Sequence, residues 1–442
     1  MFPAGPVLLS FVLAADGGKP AETRPPEPPQ QEPSRAGPSL LVESSEVPPP
    51  ASPLTFTLGA RAELRSGHPL EGLAVTTNPD AATTDLEINP LGALKFTFPA
   101  GSVAVAYEPR IFIIASQANQ KVYYLHRGRL SFEDRPAARW RLYVNSRTSY
   151  GEYDYNPLSG LQGAQPGTGA PRTPAGGPPA PPVLGTAPDQ RFVKILDFEA
   201  SGGAVYDAAR NLEWISSLGY RANGGADTAA RTSVPLQRGP IGSTGPRWSI
   251  GPLDSLLTLV DFSHVRFSNG PRSTLVNLTS NWTHVWNPGL ETDLLGGIGW
   301  FNSSDVPGQA PFSDYKPVGG FALRQVLAGR KARLRNEIQV IAAPATDPLA
   351  GTVSERVRGY LSSALTLRER LVLSLTGEVG QTIGLAQRDA RIEARVSYAF
   401  APQLAVALGA RVAWLESYNL PGNKGFGWLG FVSVATYFGT GQ

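Results

Sequence analysis

Between Asp389 and Trp414 apolar and polar side chains alternate strictly. Ala390, Ile392, Ala394, Val396, Tyr398 and Phe400 are interleaved with Arg391, Glu393, Arg395 and Ser397. After Ala401-Pro402-Gln403 the pattern resumes with Leu404, Val406, Leu408, Ala410, Val412 and Trp414. A period of two places each set on one face of a strand, so the stretch predicts a hairpin. Its strands of about a dozen residues are twice the usual length in soluble sheets. A strand tilted by about 45° needs roughly 9–11 residues to cross a bilayer, with its apolar row on lipid and its polar row on water. Phe400 and Trp414 mark opposite ends of the hairpin, as interfacial aromatics would.

The same reading marks about eighteen strands beyond Leu54, near 54–65, 84–98, 102–114, 121–133, 137–150, 192–206, 211–222, 237–250 and 254–268, then 273–286, 290–301, 315–327, 331–343, 352–366, 369–381, 389–400, 403–415 and 426–438. Connections after odd-numbered strands are longer, for example 66–83, 151–191 and 416–425. Those after even-numbered strands are short and rich in Pro or Gly, as at Pro99-Ala100-Gly101 and Asn287-Pro288-Gly289. This alternation matches the external loops and periplasmic turns of outer-membrane barrels. The predicted fold class is an all-β, transmembrane, antiparallel up-and-down barrel of about eighteen strands, with a disordered N-terminal segment.

Domain organisation follows from what flanks the strands. Val7, Leu8, Leu9, Phe11, Val12 and Leu13 form an apolar run ending at Ala14-Ala15, so residues 1–14 are expected to be a signal peptide, although no Lys or Arg precedes the run. Residues 15–53 form a Pro-rich linker without apolar periodicity. The barrel is expected over 54–438, with a Gly/Pro-rich external loop at 156–190 and a tail at 439–442. That loop reads as external, with folding into the lumen as the alternative.

Composition narrows the function. There is no Cys, which excludes disulfides and thiolate metal sites, and the net charge of +3 is spread too thinly for a nucleic-acid interface. His68, His126, His264 and His284 are scattered, and no hydrolase or metal motif appears. No enzyme activity, cofactor, metal or nucleic-acid partner is therefore expected. Asp261 near His264, and Ser280 near His284, read as ordinary polar wall residues. Asn277, Thr279, Asn281 and Thr283 form a neutral polar row inside a strand, which suits a lumen face better than glycosylation acceptors.

Turning the polar rows inward gives an expected pore lining. It holds Arg127, Arg129, Arg139, Arg141, Arg147, Lys331, Arg333, Arg335, Arg356, Arg358, Arg391, Arg395 and Arg411 against Glu133, Glu337, Glu378 and Glu393. Such an interior favours anionic solutes. Placing Phe400 opposite Leu404 puts Glu393 across from Arg411, and placing Leu365 opposite Leu371 puts Arg358 across from Glu378. These pairs would brace the wall, leaving Arg391 and Arg395 to meet a solute.

The final strand, with Val432, Val434, Thr436 and Phe438 on one face, resembles the insertion signal of outer-membrane barrels, although Gly439 to Gln442 follow the aromatic. The chain as a whole resembles integral outer-membrane barrels of the porin-like superfamily. Hairpins such as Leu125-His126-Arg127-Gly128-Arg129-Leu130 with Arg139-Trp140-Arg141-Leu142 resemble the barrel components of bacterial polysaccharide export. These resemblances imply a Gram-negative outer membrane, contact with its lipid, a polymer substrate and a periplasmic export partner. The porin likeness implies oligomers, often trimers. The function expected is a conduit for anionic solutes or polysaccharide. The alternatives are a passive diffusion porin and a surface adhesin acting through its loops.

Overall fold

The computed structural model describes residues 54–65, 83–114, 122–154, 192–306, 310–347, 352–368, 370–383, 387–401, 403–416 and 424–439. The expected signal peptide, linker, 156–190 loop and last three residues of the tail lie outside the described residues.

Eighteen strands of 12 to 18 residues form the fold. They are β1 (Leu54–Arg65), β2 (Thr83–Phe98), β3 (Gly101–Ile114), β4 (Val122–Ala137), β5 (Trp140–Asp154), β6 (Phe192–Ala209), β7 (Leu212–Gly225), β8 (Gln237–Ser249) and β9 (Asp254–Phe267). The second half contributes β10 (Arg272–Asn287), β11 (Leu290–Ser304), β12 (Phe312–Ala328), β13 (Ala332–Asp347), β14 (Thr352–Leu367), β15 (Leu371–Thr382), β16 (Gln387–Ala401), β17 (Leu404–Glu416) and β18 (Lys424–Gly439). Each pairs antiparallel with its neighbours in sequence, and β18 pairs with β1 from Thr55↔Gly439 to Arg65↔Leu429. The sheet closes into a barrel with no free edge.

The distribution of apolar surface shows which solvent lies outside. Leu218, Ile392 and Leu408 are more than half exposed on the outer face, whereas Arg411, Glu87 and Asp293 on the inner face are buried. In water this inversion would leave unburied the side chains worth roughly 1.5–3 kcal/mol each; in a bilayer it is the expected arrangement. Trp140, Trp214, Trp248, Trp286, Phe400 and Phe438 stand exposed at the short-turn end, and Tyr124, Tyr150, Tyr220, Tyr315 and Phe426 toward the other. These two aromatic belts mark the membrane interfaces, and the short turns place their end in the periplasm.

Register follows the side-chain pattern with two local adjustments. Glu393 faces Arg411 as expected, but Phe400 is bulged out, so that Ala401 rather than Phe400 pairs with Leu404. On β14 and β15 the expected register is off by two: Leu365 pairs with Leu373, Arg358 with Gly380, and Glu378 with Tyr360. The cause is a tighter turn. β14 runs on to Leu367, and Arg368 takes a left-handed φ of 49° that reverses the chain. A shift of two keeps every side chain on its expected face, where a shift of one would have inverted the wall.

Two features depart from an idealised wall. The β8–β9 ladder skips Gly239-Pro240 and Gly245-Pro246, where proline supplies no N–H. Between β7 and β8 lies a short helix, α1 (Thr228–Ser233), in a connection read from sequence as plain loop. Asp227 caps it by accepting a hydrogen bond from the Ala230 N–H at 2.8 Å.

Candidate functional site

The inner wall is a set of arginine–carboxylate ladders between neighbouring strands. Glu108 on β3 receives Arg110 at 3.3 Å and Arg127 at 3.4 Å. Glu199 on β6 receives Arg147 at 3.0 Å and Arg221 at 2.9 Å. Glu213 on β7 joins Arg141 at 3.0 Å and Arg247 at 3.3 Å. Arg324 on β12 gathers Glu291, Asp293 and Glu337. Most of these carboxylates were absent from the expected lining because their rows on β3, β6, β7 and β11 are interrupted by Gly, Ser and Pro, which blurs the alternation.

The last strands carry the densest cluster. Arg356 meets Asp389 at 2.5 Å, and Arg358 shares this neighbourhood with Glu378 and Arg391. In register Glu378 stands between Tyr360 on β14 and Arg391 on β16, so its expected partner Arg358 is not directly across from it. Arg395 donates through Nε to the Ser397 hydroxyl at 3.1 Å. Arg411 is wholly buried and donates through both Nε and Nη2 to Glu393. Beside it the Arg61 guanidinium lies 3.8 Å from the centre of the Phe431 ring, which itself covers Gly409. Arg129 lies in the same inward row of β4 as Arg127. Arg139 is not on a wall strand: β4 ends at Ala137 and β5 begins at Trp140, so it occupies the exposed periplasmic turn.

The two mouths differ. At the periplasmic end the β12–β13 and β14–β15 turns touch, the Arg368 N–H donating to the Lys331 carbonyl at 2.8 Å. Arg330, Lys331, Arg333, Arg335, Arg368 and Arg370 all stand exposed around this contact. Among the described residues none of the six has a carboxylate within 4.0 Å, although Glu369, outside those residues, separates the last two in sequence. Lys331 belongs to the turn, whereas Arg333 and Arg335 begin the inward row of β13.

At the external end α1 lies against the inner wall. Its Ala230, with Val234, is buried in a cluster with Leu125, Val193 and Ile195, wall residues of the inward rows of β4 and β6. The Ala226 N–H donates to the Lys194 carbonyl at 2.9 Å, and Arg231 donates to the Gly225 and Ala226 carbonyls. Among the described residues, the connection packed inside this mouth is thus 226–236. Its six helical residues carry no apolar stripe long enough to announce them in the sequence. The barrel is further flattened where β14 comes within 8 Å of β10 and β11, strands it does not pair with.

Residues 50–434 match the family model described as the EpsX exopolysaccharide export family. No curated protein matches the chain. Solved structures similar to it include OpdK of Pseudomonas aeruginosa with vanillate, at 10% identity over 87% of this chain and 98% of that one, TM-score 0.40. OccAB3 of Acinetobacter baumannii is 9% identical over 88% and 100%, TM-score 0.42. A bacterial polysaccharide outer membrane secretin is 9% identical over 88% and 100%, TM-score 0.35.

Proposed function

This chain belongs to the EpsX exopolysaccharide export family, and on that premise we propose that its outer-membrane barrel is the conduit through which an anionic polysaccharide leaves the periplasm. The observation that carries the reading is the basic periplasmic mouth formed by Arg330, Lys331, Arg333, Arg335, Arg368 and Arg370. Charges along the wall are largely matched by carboxylates, so the wall holds its shape and presents little net field. The mouth, by contrast, concentrates, where a polymer would be taken up, positive charge that has no carboxylate partner among the described residues, and such a field raises the local concentration of anionic chains. The same turns face the periplasm, where a partner of the export machinery would dock.

Arg333 and Arg335 point along the inward row and are the residues assigned to first contact with the polymer. Arg391, Arg356, Arg358 and Arg411, beside their carboxylates, and Arg395, donating to Ser397, are assigned to bracing the path rather than to binding. The test is the variant Arg333→Glu/Arg335→Glu in cells. It should assemble in the outer membrane yet lose surface polymer, with polymer retained in the periplasm. Undiminished surface polymer in both this variant and a strain lacking the protein would reject an export role.

A further inference from the structure

Three arginines occupy matched positions on the outer face, at the external ends of adjacent strands. Arg238 on β8 pairs in register with Arg266 on β9, and Arg266 pairs with Arg272 on β10. All three are exposed and border a cleft of about 350 Å³ at the barrel rim, which Arg231 of α1, Leu236, Phe267 and, from the β9–β10 turn, Ser268 and Gly270 also line. With strands about 4.8 Å apart, the row spans roughly 10 Å. Arg272 meets Asp305 at 3.2 Å, and among the described residues neither Arg238 nor Arg266 has a carboxylate within 4.0 Å. Cross-strand like charges repel, and among the described residues Asp305 is paired with one of the three arginines.

What lies beneath the row identifies the kind of ligand. Descending the outer face of β9, Arg266 is followed by His264, Phe262 and Val260; on β10, Arg272 is followed by Thr274, Val276 and Leu278. His264 and Thr274 are joined side by side at 2.9 Å, a polar tier between the charges and the apolar surface. On β8 the residues below Arg238 are Pro240, Gly242 and Thr244, smaller than Leu218 and Tyr220 on β7 or Phe262 on β9. Trp214 and Leu218 of β7 lean against Thr244 and Gly242, so the two strands present one apolar surface below the charges. Charge, then polar groups, then an apolar surface is the order of a lipid entering a leaflet head uppermost. A soluble anion would have no use for the lower part.

We propose that Arg238, Arg266 and Arg272 bind the phosphorylated headgroup of a glycolipid of the outer leaflet, whose acyl chains lie on the exposed apolar surface of Leu218, Val260 and Phe262 below. Arginine forks grip phosphate oxygens bidentately, and the three side chains stand on the outer face of their strands. The bound lipid would add to the counter-charge that Asp305 gives Arg272.

The experiment is native mass spectrometry of the full-length barrel in detergent, with bis-phosphorylated lipid A, dephosphorylated lipid A and inorganic phosphate as probes. The bis-phosphorylated lipid should be retained, and the variant Arg238→Gln/Arg266→Gln/Arg272→Gln should retain about tenfold less, as expected for losing several charge-assisted hydrogen bonds. Heat-modifiable migration checks that the variant is folded. Arg238→Gln/Arg266→Gln gives a milder second test that leaves the Asp305 pair intact, and Arg210→Gln, in a periplasmic turn, should retain lipid like the wild type. Equal retention of the dephosphorylated lipid, undiminished binding by folded variants, or displacement by millimolar inorganic phosphate would each overturn the proposal, the last by showing a plain anion site.

Discussion

Replacing Glu393 by Gln should destabilise the barrel by about 3–5 kcal/mol, the usual cost of removing one partner from a buried ion pair. The Arg411 side chain is 0% exposed and that of Glu393 13%, so water cannot take over the role of the lost carboxylate. Two donors of Arg411 converge on a single oxygen of Glu393; glutamine preserves the shape and one acceptor but removes the charge. Coulomb attraction at about 4 Å and an effective dielectric near 20 is worth about 4 kcal/mol, in the same range. The same hairpin supplies its own control. Arg388 and Glu416 stand 3.9 Å apart with the arginine 56% exposed, so Glu416→Gln should cost about 0–1 kcal/mol. Urea unfolding in phospholipid vesicles, followed through the fluorescence of the eight tryptophans, measures both. Glu393→Gln/Arg411→Met should recover most of the loss, because it removes the stranded charge as well. If Glu393→Gln costs no more than Glu416→Gln, water reaches Arg411 and the description of a dry pair is wrong.

Other consequences can be measured with the same preparation. A Cβ on Gly409 would lie 2.3 Å from Cζ of Phe431, so Gly409→Ala should lower stability by about 1–3 kcal/mol through overpacking, and Phe431→Leu in the same chain should relieve part of it. Ala230→Asp places a charge in the cluster with Leu125, Val193 and Ile195 and should free α1 from the wall, raising single-channel conductance in planar bilayers; unchanged conductance would mean that α1 does not narrow the mouth. Asp227→Ala removes the helix cap and should weaken the same docking by about 1 kcal/mol, appearing as more frequent conductance fluctuations.

The strands were legible in the sequence because lipid outside and water inside enforce alternation over a dozen residues, and only strands produce that period. Their order was legible because long and short connections alternate. The charge balance of the interior was not. Arginines such as Arg127 on β4 and Arg141 and Arg147 on β5 stand on regular strands, whereas their partners Glu108, Glu213 and Glu199 sit on strands whose rows are broken by Gly, Ser or Pro. Exact pairing depends on turn conformation, which is why the tight turn at Arg368 sets Arg358 opposite Gly380 and Glu378 opposite Tyr360. The placement of α1 inside the mouth was hidden for a different reason: it rests on contacts with wall residues from distant strands, which no local pattern of six residues encodes.

The seam between β1 and β18 bears on when the protein can become a barrel at all. Thr55 pairs with Gly439, so the bond that completes the ring joins residues about 380 positions apart (439 − 55), a separation that makes closure slow. Until β18 is available, any partly formed sheet has two open edges, both able to recruit strands from other chains. Synthesis and translocation from the N-terminus deliver β18 after the other seventeen strands. Assembly therefore awaits the arrival of β18, and loss of that strand would remove the act of closure before it weakened any of the strands already made.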